Sequence, residues 1–458
     1  MAEQAQRQKV MGIGLDGVPS SLLRQYLEQG ILPGFHEILT QGYRLHQMHV
    51  SIPEISSTCW TSFMTGVNPG EHGIYGFMDL RPQSYTLFFP SAHDVQAPTM
   101  WDIAGGTQQG RTSSLAAQFA GAFSEPLRSV VLNIPQTYPA RAINGVLTAG
   151  FVCPDLQRGT YPERAYQYLK SIDYMPDVDA GKAITDKPAF LKEVQYALDR
   201  REEAFLHFLE REEWDMFLGV ITETDRLQHF FFDAARNAEH PYHEAFLDVY
   251  RRVDRIVGRL FHRFMDLTHG EGVFLTMSDH GFTVLHQEVN LNAWLQQNGW
   301  LHLRDQGQWF DRIATDTRVF AMDPGRFFVH TEGRYPRGSV KGADKPIVLA
   351  ELTRMLDGLT GPDGRRVIRD IYLGESLYRG QAMSMAPDLV CVPNDGYDLK
   401  ANVTQPVTFR KGPMTGMHTQ YDGHCLLPES LSVDGQLHIE QLAGMILGCL
   451  TKTCSVSC

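Results

Sequence analysis

Five short stretches of this sequence carry residues able to do metal chemistry, and most of them stand where an apolar run stops. Val273-Phe-Leu-Thr-Met277 ends in Ser278-Asp279-His280-Gly281, a carboxylate beside an imidazole. Lys9-Val-Met-Gly-Ile-Gly-Leu15 ends in Asp16-Gly17, and the run from Trp214 to Thr222 ends in Glu223-Thr-Asp225-Arg-Leu-Gln-His229. Ser56-Ser57-Thr58 offers hydroxyls, and His418 is expected on a Gly-rich loop in Gly416-Met-His418-Thr419. Aspartate and neutral histidine suit Zn2+, and with more oxygen donors Mn2+. Metal coordination can turn a serine hydroxyl into a nucleophile. Two cations about 4 Å apart can hold the attacking and leaving oxygens of an in-line displacement at phosphorus. Taken singly, each stretch has a blander explanation: an Asp after a strand caps a helix or turn, and a lone His418 is a surface histidine. Their joint occurrence points to a two-metal hydrolase.

Such residues converge only if their elements share one edge. In an open α/β sheet, ligands bind at the carboxyl ends of the strands. Asp225 and His229, four residues apart, face the same way if a helical turn begins there. Pro19 to about Leu39 reads as helical, residues 188–213 are charged and helix-prone, and Phe246, Leu247, Tyr250, Val253, Ile256, Val257 and Leu260 form an apolar stripe. Arg128 to Pro135 adds another buried-strand candidate. This alternation predicts an α/β fold, with a mostly parallel central sheet sandwiched by helices. Residues 290–385 are rich in Gly, Arg, Asp and Pro and read as an inserted cap; residues 1–289 plus 386–458 form the core. Pro387 to Pro393 is read as core, as is a last helix near Gln441–Leu450.

The chain of 458 residues is long enough for a sizeable core, and its net charge of -12 gives no footprint for a nucleic acid duplex and argues against an anionic membrane surface. The polar N-terminus lacks a signal-peptide core, and nowhere do 18 apolar residues run together, so a cytoplasmic protein is expected. Seven scattered cysteines fit reduced thiols, with Cys454 and Cys458 on a frayed tail. Oligomeric state is left open.

The ordered set Leu15-Asp16-Gly17, Ser56-Ser-Thr-Cys-Trp60-Thr-Ser-Phe-Met-Thr-Gly66, Pro69-Gly-Glu-His72-Gly-Ile, Asp225 with His229, Ser278-Asp279-His280-Gly-Phe and Gly416-Met-His418-Thr resembles the alkaline phosphatase superfamily. Within it the set is most similar to the type I phosphodiesterase/nucleotide pyrophosphatase branch. Phe327 to Gly338, Ala386 to Val390 and Asp395-Gly-Tyr397 are similar to its soluble bacterial members. The resemblance implies an alkaline-phosphatase-like core and two divalent metal ions, Zn2+ first and Mn2+ second. One ion would take Asp225, His229 and His418; the other Asp16, Asp279, His280 and the nucleophile oxygen. The family's nucleophile stands ten residues before the turn glycine, which here is Ser56, with Ser57 and Thr58 as rivals. The substrate implied is a small phosphodiester or pyrophosphate, cleaved through a phosphoseryl intermediate, with the cap selecting the leaving group. A phosphomonoesterase, phosphonate hydrolase or phosphomutase is the enzymatic alternative, and an inactive α/β scaffold the other.

Three departures bear on this resemblance. The branch carries a phosphate-contacting Asn where this sequence has Phe77, and its nucleophile is usually Thr. His424 also competes with His418. His72 is expected to order a turn, Phe230-Phe-Phe232 to pack in the core, and Arg334 and Arg337 to be solvated unless they meet an anionic substrate.

Overall fold

The computed structural model describes residues 6–451, apart from 432 and 434, and residues 453–454. Its centre is a nine-stranded sheet in the order Leu437–His438, Tyr43–His49, Gly423–Pro428, Val273–Met277, Val10–Leu15, Met216–Ile221, Ser129–Ile134, Gly145–Ala149, Thr160–Tyr161. The five strands from Val273–Met277 to Gly145–Ala149 run parallel. Gly423–Pro428 is antiparallel to both its neighbours, and Thr160–Tyr161 to its one. The sheet is mostly parallel, as the sequence predicts.

Alternation along the strands sends side chains to opposite faces. Met11, Ile13, Leu15, Phe217 and Phe274 join one apolar cluster with the helices Lys187–Arg211 and His243–Leu267. Val10, Met216, Leu218, Leu275 and Met277 join the other, with Trp60, Phe63 and the helix Gln441–Leu450. A sheet covered on both faces needs strands that are apolar throughout, which is why they were visible in the sequence. The single helical stretch expected over 19–39 is two helices, Ser20–Glu28 and Pro33–Thr40, because Gly30 turns left-handed and Pro33 starts the second.

A second core packs around the antiparallel sheet Val319–Met322, Arg326–Val329, Leu389–Pro393, Ile368–Leu373, with the helix Lys345–Asp357. It includes Leu389–Pro393, which the sequence assigns to the main core. An apolar run announces burial but not which sheet receives it. Thr453–Cys454 pairs with Gln6–Arg7 rather than fraying, whereas Cys458 lies outside the described residues. No helix among the described residues is long and apolar enough to cross a membrane.

Candidate active site

Register brings the chemistry together. Met277 lies beside Gly14, and Gly14 beside Val220, so three parallel strands stop in line. Asp16, Asp279 and the helix Glu223–Phe231 therefore leave the sheet at one edge. That helix places Asp225 and His229 one turn apart, as their spacing predicts. His418 is not on a loop: it lies in the strand Gly416–Thr419, antiparallel to Gly281–Val284 and opposite Phe282. Ser56 opens the helix Ser56–Thr65.

Asp225 Oδ1 lies 3.3 Å from Nε2 of both His229 and His418, whose two Nε2 atoms are 3.1 Å apart. His280 Nε2 lies 3.2 Å from Ser56 Oγ, 3.3 Å from Asp279 Oδ2 and 3.6 Å from Asp16 Oδ1. It is also 3.9 Å from Asp225 Oδ1, which joins the two groups into one cluster. All six metal-type residues and Ser56 thus meet in one place. Ser57 and Thr58 are buried, and among the described residues neither hydroxyl has a hydrogen-bond partner.

The backbone fixes two of the imidazoles. His418 Nδ1 is 2.9 Å from the Glu54 carbonyl and His280 Nδ1 is 3.1 Å from the Gly281 carbonyl. A carbonyl only accepts, so each Nδ1 carries a proton, and Nε2 turns a lone pair inward whenever the ring is neutral. Those lone pairs meet Asp16 Oδ1, Asp225 Oδ1 and Asp279 Oδ2, buried oxygens that complete no hydrogen bond. Burial, with Asp279 and Asp225 adding to it, holds the Asp16 carboxyl well above its usual range, and burial pushes Asp279 up to about 7. Against the pull of burial, protons carried by His229 and His418 hold Asp225 well below its usual range, and Asp225 in turn raises His418 against burial. Burial lowers His280 and His229.

So many inward acceptors fit a cation. In a tetrahedral site with bonds of about 2.0–2.1 Å, ligand atoms stand about 3.3 Å apart. The Asp225, His229 and His418 edges match that figure, as do the His280 edges to Ser56 and Asp279. Asp225, His280 and His418, and Asp16, Asp279 and His280, each bring ligand atoms within 4.8 Å of one another.

Several supporting groups escaped the sequence reading. Trp60 Nε1 donates to Asp16 Oδ2 at 3.0 Å, and Gly17 N donates to Asp279 Oδ1 at 3.0 Å. A Cβ on Gly14 would stand 2.3 Å from the Trp60 ring, so that glycine makes room for the indole. Arg226 reaches Asp225 Oδ2 at 3.4 Å and Asp177 at 2.9 Å. The signal for Trp60 was its place four residues after Ser56, one helical turn inward.

Other candidates fall outside the cluster. His424 Nδ1 donates to the Val18 carbonyl at 2.9 Å. His72 is buried, with Nε2 against Ser62 Oγ and Nδ1 accepting from Ile74 N. Phe230, Phe231 and Phe232 are core. Arg334 is tied to Asp388 at 3.0 Å and Arg337 to Asp311 at 3.1 Å. Phe77 stacks on Phe151 with ring centroids 5.4 Å apart. His229 and His418 line a cavity of about 1250 Å³ together with residues of the second core such as Phe310, Met322 and Leu399.

The family described as Type I phosphodiesterase / nucleotide pyrophosphatase matches residues 10–420. No curated protein matches. Phosphonoacetate hydrolase from Sinorhizobium meliloti, solved with phosphonoformate, is similar at 14% identity and a TM-score of 0.61, over 98% of this chain and 97% of that one. Murine ectonucleotide pyrophosphatase / phosphodiesterase 5, an inactive variant with AMP, is similar at 13% identity and a TM-score of 0.55, over 98% and 96%. The human protein of that name gives 15% and 0.53, over 98% and 97%. At these identities the likeness shows a shared fold.

Proposed function

We propose, from the premise that this chain belongs to the type I phosphodiesterase / nucleotide pyrophosphatase family, that it hydrolyses phosphodiester or pyrophosphate bonds of a small molecule through a phosphoseryl intermediate on Ser56. One observation carries the reading: six metal-type side chains and one serine hydroxyl converge, with inward lone pairs and ligand-like spacing.

Asp225, His229 and His418 would hold one divalent cation; Asp16, Asp279, His280 and the Ser56 oxygen would hold the other. When bound, Zn2+, or Mn2+ in its place, supplies the positive field that makes the serine oxygen nucleophilic and offsets charge on the phosphoryl oxygens. Ser56 Oγ would give its proton to solvent and attack phosphorus in line as the bond to the departing oxygen breaks with its electron pair; water would later attack that phosphorus, the P–Oγ bond breaking and Oγ taking up a proton. Trp60 and the Gly17 amide orient the outer oxygens of Asp16 and Asp279, so that each aims its other oxygen inward. A cytoplasmic location belongs to the same proposal, supported by the free thiols Cys59, Cys153, Cys391 and Cys425.

The test is turnover of bis-p-nitrophenyl phosphate against p-nitrophenyl phosphate by metal-reconstituted protein. Preference for the diester is expected. A marked preference for the monoester would move the protein to the monoesterase side of the superfamily.

A further inference from the structure

A much smaller hollow, of about 10 Å³, borders the helix Ser56–Thr65 at Met64 and has room for one water-sized body. Met64, Val95 and Leu147 give it apolar sides, and its polar lining comes from Thr99, Trp101, Arg111, Gln136, Thr137 and Arg141. Those side chains bring mainly donors. Trp101, on the helix Met100–Gly105, is 1% exposed, and its Nε1 has no hydrogen-bond partner. Gln136 Nε2 is buried and has none either. The two hydroxyl protons are already committed: Thr137 donates to the Ile134 carbonyl at 2.6 Å, and Thr99 to Asp102 Oδ2 at 2.8 Å. Arg111 and Arg141 share a single carboxylate. Arg111 meets Asp102 at 3.2 Å and Arg141 meets it through both terminal nitrogens. The two guanidinium side chains are only 21% and 17% exposed, and among the described residues neither forms an ion pair with any other acid. One positive charge is therefore left over in a half-buried place. Burial, with Arg141 adding to it, pulls the Arg111 guanidinium below its ordinary value against the opposing pull of Asp102.

We propose that this hollow binds a small monovalent anion of the halide class, chloride in an ordinary medium, held by the N–H groups of Trp101 and Gln136 beside the Arg111–Asp102–Arg141 cluster. A buried donor left unpaired is costly, and so is an uncompensated buried charge; a halide relieves both at once. A water could accept from these donors, but it would have its own protons to place among them and would bring no charge. A space of this size suits a halide and not a phosphate with its shell of oxygens. The anion would join the helix Met100–Gly105 to the segments that carry Arg111, Gln136 and Arg141, against the helix that presents Ser56. Its effect is therefore on the stability of the folded chain, and the inference stands apart from the hydrolase reading.

Urea unfolding of the full chain, in sodium chloride and in sodium gluconate at equal ionic strength, tests this. Gluconate is too large for the hollow, so the unaltered protein should gain in urea midpoint as chloride replaces it, as for a ligand that binds only the folded state. Gln136→Glu brings a carboxylate of nearly the same shape to the anion's place. It should match or exceed the unaltered midpoint in gluconate and lose most of the gain from chloride. Trp101→Phe removes the N–H and keeps an aromatic ring, and should raise the half-saturating chloride concentration about tenfold. Each variant is compared with itself in the two salts, so a lower starting stability does not disturb the reading. No chloride dependence in the unaltered protein, or an equal dependence in Gln136→Glu, overturns the inference. Crystals grown in sodium bromide give the location: an anomalous peak in contact with Trp101 Nε1 and Gln136 Nε2 is expected. A water there with no such peak overturns the inference. A peak without chloride dependence in solution marks an adventitious ion only and overturns it as well.

Discussion

The Nε2 atoms of His229 and His418 face each other at 3.1 Å, with Asp225 Oδ1 3.3 Å from each. Because His418 spends its Nδ1 proton on the Glu54 carbonyl, its Nε2 has a lone pair to offer there once the ring is neutral. Three acceptors at that spacing repel one another unless protons or a metal cation join them. Reconstituted protein, desalted and analysed by mass spectrometry, should retain about two Zn2+ per chain, one for each group of ligands. Asp225→Asn should lose the ion of this group first and Asp279→Asn the ion near Ser56. Less than about one ion per chain in the unaltered protein, or equal occupancy in both variants, would refute the assignment.

Ser56→Ala should abolish turnover and leave metal content largely intact. The hydroxyl is one ligand-type atom among several around His280, so its removal leaves three protein ligands for that cation. The loss of rate should be at least about a thousandfold, as for removal of other covalent nucleophiles. Wild-type turnover in Ser56→Ala would pass the role to Ser57 or Thr58, whose buried hydroxyls lack partners.

Trp60→Phe tests whether the indole serves the site or only the core. The ring packs between strand and helix, and phenylalanine keeps most of that burial. It removes only the hydrogen bond to Asp16 Oδ2. Losing one donor to a buried carboxylate costs about 1.5–3 kcal/mol, so affinity for the metal near Ser56 should fall about tenfold or more. Competition with a calibrated chelator measures it. Unchanged affinity with lowered thermal stability would make Trp60 a packing residue alone.

The strands that end in Asp16, Asp279 and the Asp225 helix were legible because a doubly covered parallel sheet writes itself as continuous apolar runs. Asp225 and His229 were legible because helical spacing is local. His418 is expected on a loop yet lies in a strand, since that strand has no apolar run and pairs with Gly281–Val284, far away in the chain. Leu389–Pro393 reads as buried, but nothing local says that it pairs with Arg326–Val329 and Ile368–Leu373, because pairing partners are chosen by tertiary packing and not by periodicity. The cavity was invisible, because its walls come from segments that share nothing in sequence, such as Phe77, Trp309 and Lys400.

His72 and His424 should make the protein acid-sensitive. His72 accepts from Ile74 N through Nδ1, and His424 donates through Nδ1 to Val18 O, both with little exposure. Burial lowers them from 6.5 to about 3 and about 4. As pH falls below 6.5, the unfolded chain takes up these protons while the folded chain does not, so folding loses stability with each step down. The loss continues until the folded values are reached, near pH 4 for His424 and lower for His72. Each histidine contributes a limiting slope of about 1.4 kcal/mol per pH unit across that window. Urea midpoints at several pH values between neutrality and pH 5 should therefore fall, and His424→Gln should show a shallower fall even if it starts from lower stability. The variant's slope is the deciding quantity, because a merely structural defect lowers every midpoint equally. An unaltered slope would mean that His424 is protonated in the folded protein, at odds with its donation to Val18 and its burial against Thr276.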